Sequence, residues 1–386
     1  MKCELGTICT YRKGKIEVSK LNQTTYISTE NMLPNKGGIV SSSNLPNTLT
    51  TQEFQPNDIL VSNIRPYFKK IWLARYCGGC SNDVLVFTAN KDVDPIFLYY
   101  VLSDDTFFSY ATATAKGTKM PRGDRAAIMQ YSVPNYNLST QKKIGAVLQS
   151  LDEKIETNNA ISENFKEQAQ LLFSKHFGHI SCNNLPEGWH TIKLDEVAII
   201  CKDSFNPAKE PQTLLEHYSL PAFDETRFPV FEPSSNVKSS KFKIDADCFM
   251  ISKLNPTTKR VWKPYCLSGH AVCSTEFIVY KAKNRRYTDF LYSLIDSDDF
   301  SAFMCSHVTG STGSRQRTTP SDTLQYTFAM PPQTDIDAFT ALVHPMYEQI
   351  RINAIENDKL KKLRDSILPK LISGELDVSN LLTVDG

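Results

Sequence analysis

The stretch "SNIRPYFKKIW", Ser62 to Trp72, returns 190 positions later as "SKLNPTTKRVW", Ser252 to Trp262. Pro66 meets Pro256, Lys69-Lys70 meets Lys259-Arg260, and Trp72 meets Trp262. Further along, "SNDVLVF" (81–87) faces "STEFIVY" (274–280) and "FLYYVLSDD" faces "FLYSLIDSD", both shifted by 193; "LQSLDEKIETN" (148–158) faces "VHPMYEQIRIN" (343–353), shifted by 195. One order kept with so small a drift is the mark of a duplicated unit with loop insertions. The chain reads as two copies of a unit of roughly 190 residues, each a domain followed by a long helix.

The helices carry a seam. Ile144, Leu148, Leu151, Ile155, Asn158, Ser162, Phe165, Ala169 and Leu172 alternate spacings of four and three, as in a coiled coil. Phe339, Val343, Met346, Ile350, Asn353, Asn357, Leu360, Arg364 and Ile367 repeat those positions plus 195. Both seams turn polar at the same place, Asn158/Ser162 and Asn353/Asn357, a device that costs stability and fixes register. Two amphipathic helices lying on their own domains would show the same periodicity. However, about 36 residues at 1.5 Å each span roughly 54 Å, more than a domain of this size needs, which favours helices packed on each other. Ser139 and Thr334 are the expected N-caps, and Pro345 predicts a kink or late start in the second helix.

Ahead of each helix the pattern is mixed. "DILVSNI", "DVLVFTA", "FMISKL" and "TEFIVYKA" read as strands, "PIFLYYVLSDDTFFSYA" and "RYTDFLYSLIDSDDFSAFM" as helix. The expected fold class is α+β: two similar mixed domains alternating with two long helices that pair as an antiparallel coiled coil. The domains are expected at 1–136 and 179–333, the helices at 137–178 and 334–376, with a tail at 377–386.

The 386 residues suit two domains, and 41% hydrophobic with 22% charged residues describe a soluble globular protein. No apolar run is long enough for a membrane span, and "MKCELGTICTYRKGK" lacks a secretory core, so ten cysteines read as reduced thiols in a cytoplasm. No phosphate-cradling glycine motif, HExxH or paired CxxC set occurs. "CGGC" (77–80) and "CLSGHAVC" (266–273) differ in spacing and read as turns before metal or redox sites. No catalytic or metal-ligating constellation is expected.

Basic patches are the remaining chemistry. Arg65, Lys69, Lys70 and Arg75 fall in a stretch without an acid, as do Lys253, Lys259, Arg260 and Lys263 in the second copy. A second, glycine-bearing loop follows in each: "AKGTKMPRGDR" with Lys116, Lys119, Arg122 and Arg125, and "TGSTGSRQRTTP" with Arg315, Gln316 and Arg317. Arg and Lys neutralise phosphates, Arg also reads guanine in a major groove, and Gln suits adenine. Solvated loops are the bland alternative; matched positions in two copies favour an anionic partner. The copies differ where base contacts would lie, "IRPYFKK" against "LNPTTKR", so one scaffold would read two unlike half-sites rather than a palindrome. A coiled-coil interaction protein binding RNA or an acidic protein is the rival reading. Stacking aromatics such as Tyr67 and Phe68 are absent from the second copy, which counts against RNA.

Three motifs bring a family into view. "QKKIGAVLQSLDEKIETNNAI" (141–161), "ILPKLISGEL" (367–376) and "LPEGWHTIKLDEVA" (185–198) resemble the central helix, distal helix and second-domain opening of type I restriction–modification specificity subunits. The resemblance spans essentially the whole chain. It implies a non-catalytic subunit whose two recognition domains each read one half of a bipartite double-stranded DNA site. Its paired helices would set the spacing and dock methyltransferase (modification) subunits, two in number, which carry S-adenosylmethionine and methylate adenine. Restriction motor subunits would join them. By position, Lys69-Lys70, Lys259-Arg260 and the loops 116–125 and 311–320 lie on the recognition domains. The second helix departs from strict symmetry by carrying Pro345 where the first has Ser150.

Overall fold

The computed structural model describes residues 2–178, 180, 182, 184–309 and 316–378. The chain divides into two compact units, Met1–Ile155 with Lys359–Gly386, and Glu156–Asp358. Each unit therefore takes one domain together with a segment of both long helices, Leu138–Phe173 (36 residues) and Gln333–Ser373 (41 residues). Among the described residues no helix is long and apolar enough to cross a membrane.

In the first unit a four-stranded antiparallel sheet has the order Cys9–Tyr11, Val84–Ala89, Ile59–Ser62, Ile71–Leu73. In the second, Ala198–Cys201, Phe277–Ala282, Cys248–Ser252 and Val261–Trp262 repeat that order and sense. The apolar runs are continuous because both faces of these strands are covered. Ile59, Val61, Leu85 and Phe87 join the helix-bearing core, and the alternating Leu60, Val84 and Val86 pack with Phe54 and Met32 of the neighbouring layer. The second unit divides in the same way: Phe249, Ile251, Ile278 and Tyr280 on one side, Cys248, Met250, Phe277 and Val279 on the other.

A second sheet completes each domain. In the first unit its order is Lys15–Glu17, Thr50–Phe54, Gly78–Cys80, Tyr26–Ile27. The second unit has Ser204–Phe205, Lys241–Lys243, Ala271–Ser274, Leu214–Tyr218 and an added edge strand, Val230–Pro233. A short terminal ladder closes each domain, Lys2–Glu4 on Ser132–Pro134 and His190–Lys193 on Thr327–Met330.

Each stretch expected as one helix is two. Pro95–Ser103 and Asp105–Ala113 break at Asp104, whose carboxylate accepts from Thr106 N; Thr288–Ile295 and Asp298–Ser306 break before Ser297, whose hydroxyl accepts from Phe300 N. Apolar periodicity continues across the break, and the capping side chain starts a new helix within it.

The long helices pair within each unit. In the first, Ile144 and Leu148 share a core with Leu368 and Leu371, and Tyr136 Oη donates to the Ile372 carbonyl at 3.0 Å. Asp152 accepts from Arg364 at 2.5 Å and from Tyr100 Oη at 2.7 Å. Burial alone would lower the Arg364 pKa; the charge and hydrogen bond of Asp152, with Asp365, outweigh it and raise it. In the second unit Asn158 Nδ2 donates to Glu356 at 2.8 Å and Asn357 Oδ1 at 2.9 Å, while Asn353 Nδ2 reaches Ser162 Oγ at 3.1 Å. Moving four residues up the first helix moves four down the second, so the pairing is antiparallel. Ala169 packs with Phe339 and Val343 in that unit's core. Leu151, Phe165, Leu172, Met346, Ile350, Leu360 and Ile367 are half-buried, and Ile155 is buried.

Two expected details differ. The first helix is capped by Asn137, whose Oδ1 accepts from Thr140 N at 2.8 Å, so Ser139 lies inside the first turn. In the second, Thr334 also lies inside; the Pro332 carbonyl accepts from Asp335 N and Ile336 N instead. That helix neither starts late nor breaks at Pro345. Pro345 and the exposed Ala341 four residues before it sit on the solvent side, where a missing backbone bond is least costly.

Leu148→Ala removes a fully buried side chain and is expected to destabilise the protein by about 2–5 kcal/mol, read as a fall in the urea midpoint. Asn158→Ala strands the buried Asn357 amide oxygen and is expected to cost about 1–3 kcal/mol in the same assay.

Candidate nucleic-acid interface

The two basic segments of each unit, distant in sequence, are fastened to one another. In the first unit, the connection between strands Ile59–Ser62 and Ile71–Leu73 bridges Ile64 to Arg122, and Arg65 N donates to Pro121 O at 2.8 Å. In the second, Leu254 bridges to Arg317, and Asn255 N donates to Gln316 O at 2.9 Å. The connections are built alike. Ser62 Oγ donates to Ile64 O and Ser252 Oγ to Leu254 O; Ser62 N donates to Lys70 O and Ser252 N to Arg260 O. Pro66 and Pro256 are buried at their bases.

Arg65 and Asn255 both take left-handed backbone conformations, φ 50 and φ 49. Holding a residue other than glycine there costs roughly 1–3 kcal/mol, which the surrounding bonds must offset. Phe68 N to Arg65 O and Thr258 N to Asn255 O close the same turn in both.

Acids supplied by other parts of the chain neutralise many of the cations. The absence of acids around Lys69 and Lys259 is true along the chain and untrue in space. Lys69 Nζ lies 2.8 Å from Asp105, and Lys259 Nζ 3.2 Å from Asp298, each acid opening the corresponding helix. Burial would raise the Asp105 pKa, and Lys69 and Lys36 outweigh it, holding that carboxyl below its ordinary value. Arg122 grips Asp83 through two bonds of 3.0 and 3.3 Å, and Arg317 grips Glu276 at the same two distances. These forks tie the second basic loop to the turn ahead of Val84–Ala89 or Phe277–Ala282. The hydrogen bond and charge of Asp83 raise the Arg122 pKa.

Lys70 donates to the Thr29 carbonyl at 2.6 Å, and burial lowers its pKa; Arg260 forks onto Asp224; Lys263 pairs with Asp289, and Lys116 with Asp124. Among the described residues no ion pair is found for Arg65, Lys119 or Lys253, whereas Arg75 is engaged. Arg315 lies outside the described residues; Gln316 is half-buried and contributes its carbonyl. Sequence reasoning missed the acids Asp83, Asp105, Glu276 and Asp298, though each lies at matching positions 193 apart.

Two exposed aromatics complete the first surface, Tyr67 and Phe68, with ring centroids 4.7 Å apart. Gly123 permits the close approach of the loops: its N donates to Asn63 O at 3.1 Å, and an added Cβ would lie 2.8 Å from Asn63 Oδ1. Of the "CGGC" pair, Cys77 is exposed and Cys80 buried, its thiol pushed up to about 12 by burial. Among the described residues, no three His, Cys, Asp or Glu side chains gather as a metal-holding group.

Gly123→Val should force the two loops of the first unit apart. Hydrogen exchange is expected to show the amides of Arg65 and of residue 123, which bond across the two loops, losing protection while the Asn255 amide keeps it.

Residues 1–167 match the model of the type I restriction modification DNA specificity domain. The type I restriction enzyme MjaIX specificity subunit of Methanocaldococcus jannaschii is 24% identical over 318 residues, 74% of this chain and 70% of that protein. The EcoDI specificity subunit of Escherichia coli is 28% identical over 135 residues, 34% of this chain and 30% of that protein. The crystal structure of a type I restriction-modification system S subunit from M. genitalium matches with a TM-score of 0.61 at 17% identity, covering 96% of each chain, a likeness of fold. Residues 1–167 thus match a type I restriction modification DNA specificity domain, and over about three quarters of its length the chain is similar to a type I restriction enzyme specificity subunit.

Proposed function

We propose that this chain is the DNA sequence-recognition subunit of a type I restriction–modification complex and carries no catalytic group of its own. The domains at 1–136 and 179–333 each read one half of a bipartite, asymmetric site in double-stranded DNA. The paired helices at 137–178 and 334–376 set the spacing and dock two methyltransferase subunits. Those subunits supply S-adenosylmethionine and the methyl transfer to adenine, and restriction motor subunits join to cut unmodified DNA. The complex works in the cytoplasm.

The observation that carries this reading is the repeated loop junction. Each unit fastens two basic loops with the same backbone bonds and the same carboxylate clamps, and each presents different side chains upon them. A repeated frame bearing unlike side chains is what recognition of two unlike half-sites requires. Clamped cations still present positive charge to phosphates, and a phosphate displacing a carboxylate gives a charge-assisted bond in its place.

The test is methylation sequencing of DNA from cells with and without this gene, the methyltransferase partner being expressed and active in both. Loss of one asymmetric, two-part adenine motif is the expected result. An unchanged methylome overturns the reading and favours an interaction protein whose basic loops hold RNA or an acidic protein. For the assembled complex, log affinity for DNA should fall linearly with log salt.

A further inference from the structure

We propose that Arg65 and Asn255 are matched specificity-determining residues: each presents a base-reading side chain from the same backbone position of its unit, Arg65 to a guanine and Asn255 to an adenine. This rests on the reading of the chain as a DNA-recognition subunit and assigns the residues that do the reading.

The two positions correspond in the backbone bonds that hold them. Each follows the residue bridged to the second basic loop, Ile64 or Leu254, and donates its own N–H to that loop, Arg65 to Pro121 and Asn255 to Gln316. Each accepts, through its carbonyl, the N–H three residues on, and each precedes a buried proline. Both are left-handed, although one residue is Asn, which adopts that conformation readily, and the other is Arg, which does not. An arginine kept in an unfavourable conformation, at the position where the other copy uses asparagine, points to a placement required of the side chain.

The neighbouring cations are assigned a different part. Lys69 and Lys259 bind the acid that opens the following helix, and Arg122 and Arg317 fork onto Asp83 and Glu276. What is the same in both units cannot distinguish two half-sites, so these four hold the loops in place and lend charge. What differs at a common place can distinguish them. Arg65 and Asn255 differ in the chemistry that separates purines: a guanidinium donates twice to guanine O6 and N7, and a carboxamide both accepts from and donates to adenine at N6 and N7. The Arg65 guanidinium has no ion-pair partner among the described residues, so it meets a base without first breaking an internal bond.

The experiment uses the full-length chain with its methyltransferase in cells, and methylation sequencing as the readout. Arg65→Asn keeps a residue suited to the left-handed turn and exchanges the reading group. It is expected to remove the requirement for guanine at one position of one half-site, a loss of discrimination of roughly tenfold to hundredfold, with the other half-site and the spacer unchanged. Asn255→Gly, which also suits the turn, is expected to relax one adenine position in the other half-site. If the Arg65→Asn protein does not accumulate, Arg65→Gly makes the same test. A motif unchanged by both substitutions overturns the inference, as does relaxation at every position alike or of both substitutions in one half-site. A wild-type chain that directs no motif overturns instead the functional reading beneath it.

Discussion

Antiparallel pairing of the two long helices is the constraint on which both units depend. Neither core is complete without helix segments from two distant parts of the chain: Ile144 and Leu148 need Leu368 and Leu371, while Ala169 and Phe173 need Phe339 and Val343. An apolar seam alone tolerates slippage by a heptad, since leucine meets leucine again seven residues on. Asn158, Ser162, Asn353 and Asn357 remove that freedom. In register they bond to one another; out of register, buried amides would face aliphatic side chains and lose partners worth about 1–3 kcal/mol each. Asp152 and Arg364 impose the same discipline in the first unit, a half-buried charge pair that a slip would separate.

The two mixed domains show how one frame carries two surfaces. Backbone bonds fix the loop junction, and backbone bonds do not depend on side-chain identity. The Ile64–Arg122 and Leu254–Arg317 bridges therefore persist while Arg-Pro-Tyr-Phe in one copy becomes Asn-Pro-Thr-Thr in the other. Carboxylates at Asp83, Asp105, Glu276 and Asp298 lock the long cationic side chains that would otherwise sample many rotamers. The cationic side chains that result are ordered in advance, which lowers the entropy lost when such side chains engage a ligand.

Duplication, the strand and helix content of each domain and the polar interruption of the seam were legible in the residues alone, because each is a local pattern or a repetition of one. Strands such as Ile59–Ser62 announce themselves by a continuous apolar run, and the heptad by its spacing. The two matched basic loops were legible too, being a repetition within the sequence. Local detail fared less well: Asn137 rather than Ser139 caps the first helix, and Asp104 and Ser297 cut the domain helices in two. Capping depends on which of several competing polar groups the backbone meets first, and periodicity is blind to it.

Only the tertiary structure decided the electrostatics of the interface. The stretch from Ser62 to Trp72 has no acid within it, and composition alone makes its charge look bare. Folding brings Asp105 to Lys69 across 36 residues and Asp83 to Arg122 across 39, so the charge is partly answered before any ligand comes. Linear proximity governs hydrophobic periodicity, which is why the sequence alone determined the architecture. Coulombic contact acts across a few ångströms regardless of sequence separation, so which cations are clamped and which stand free was decided only when the loops closed on one another.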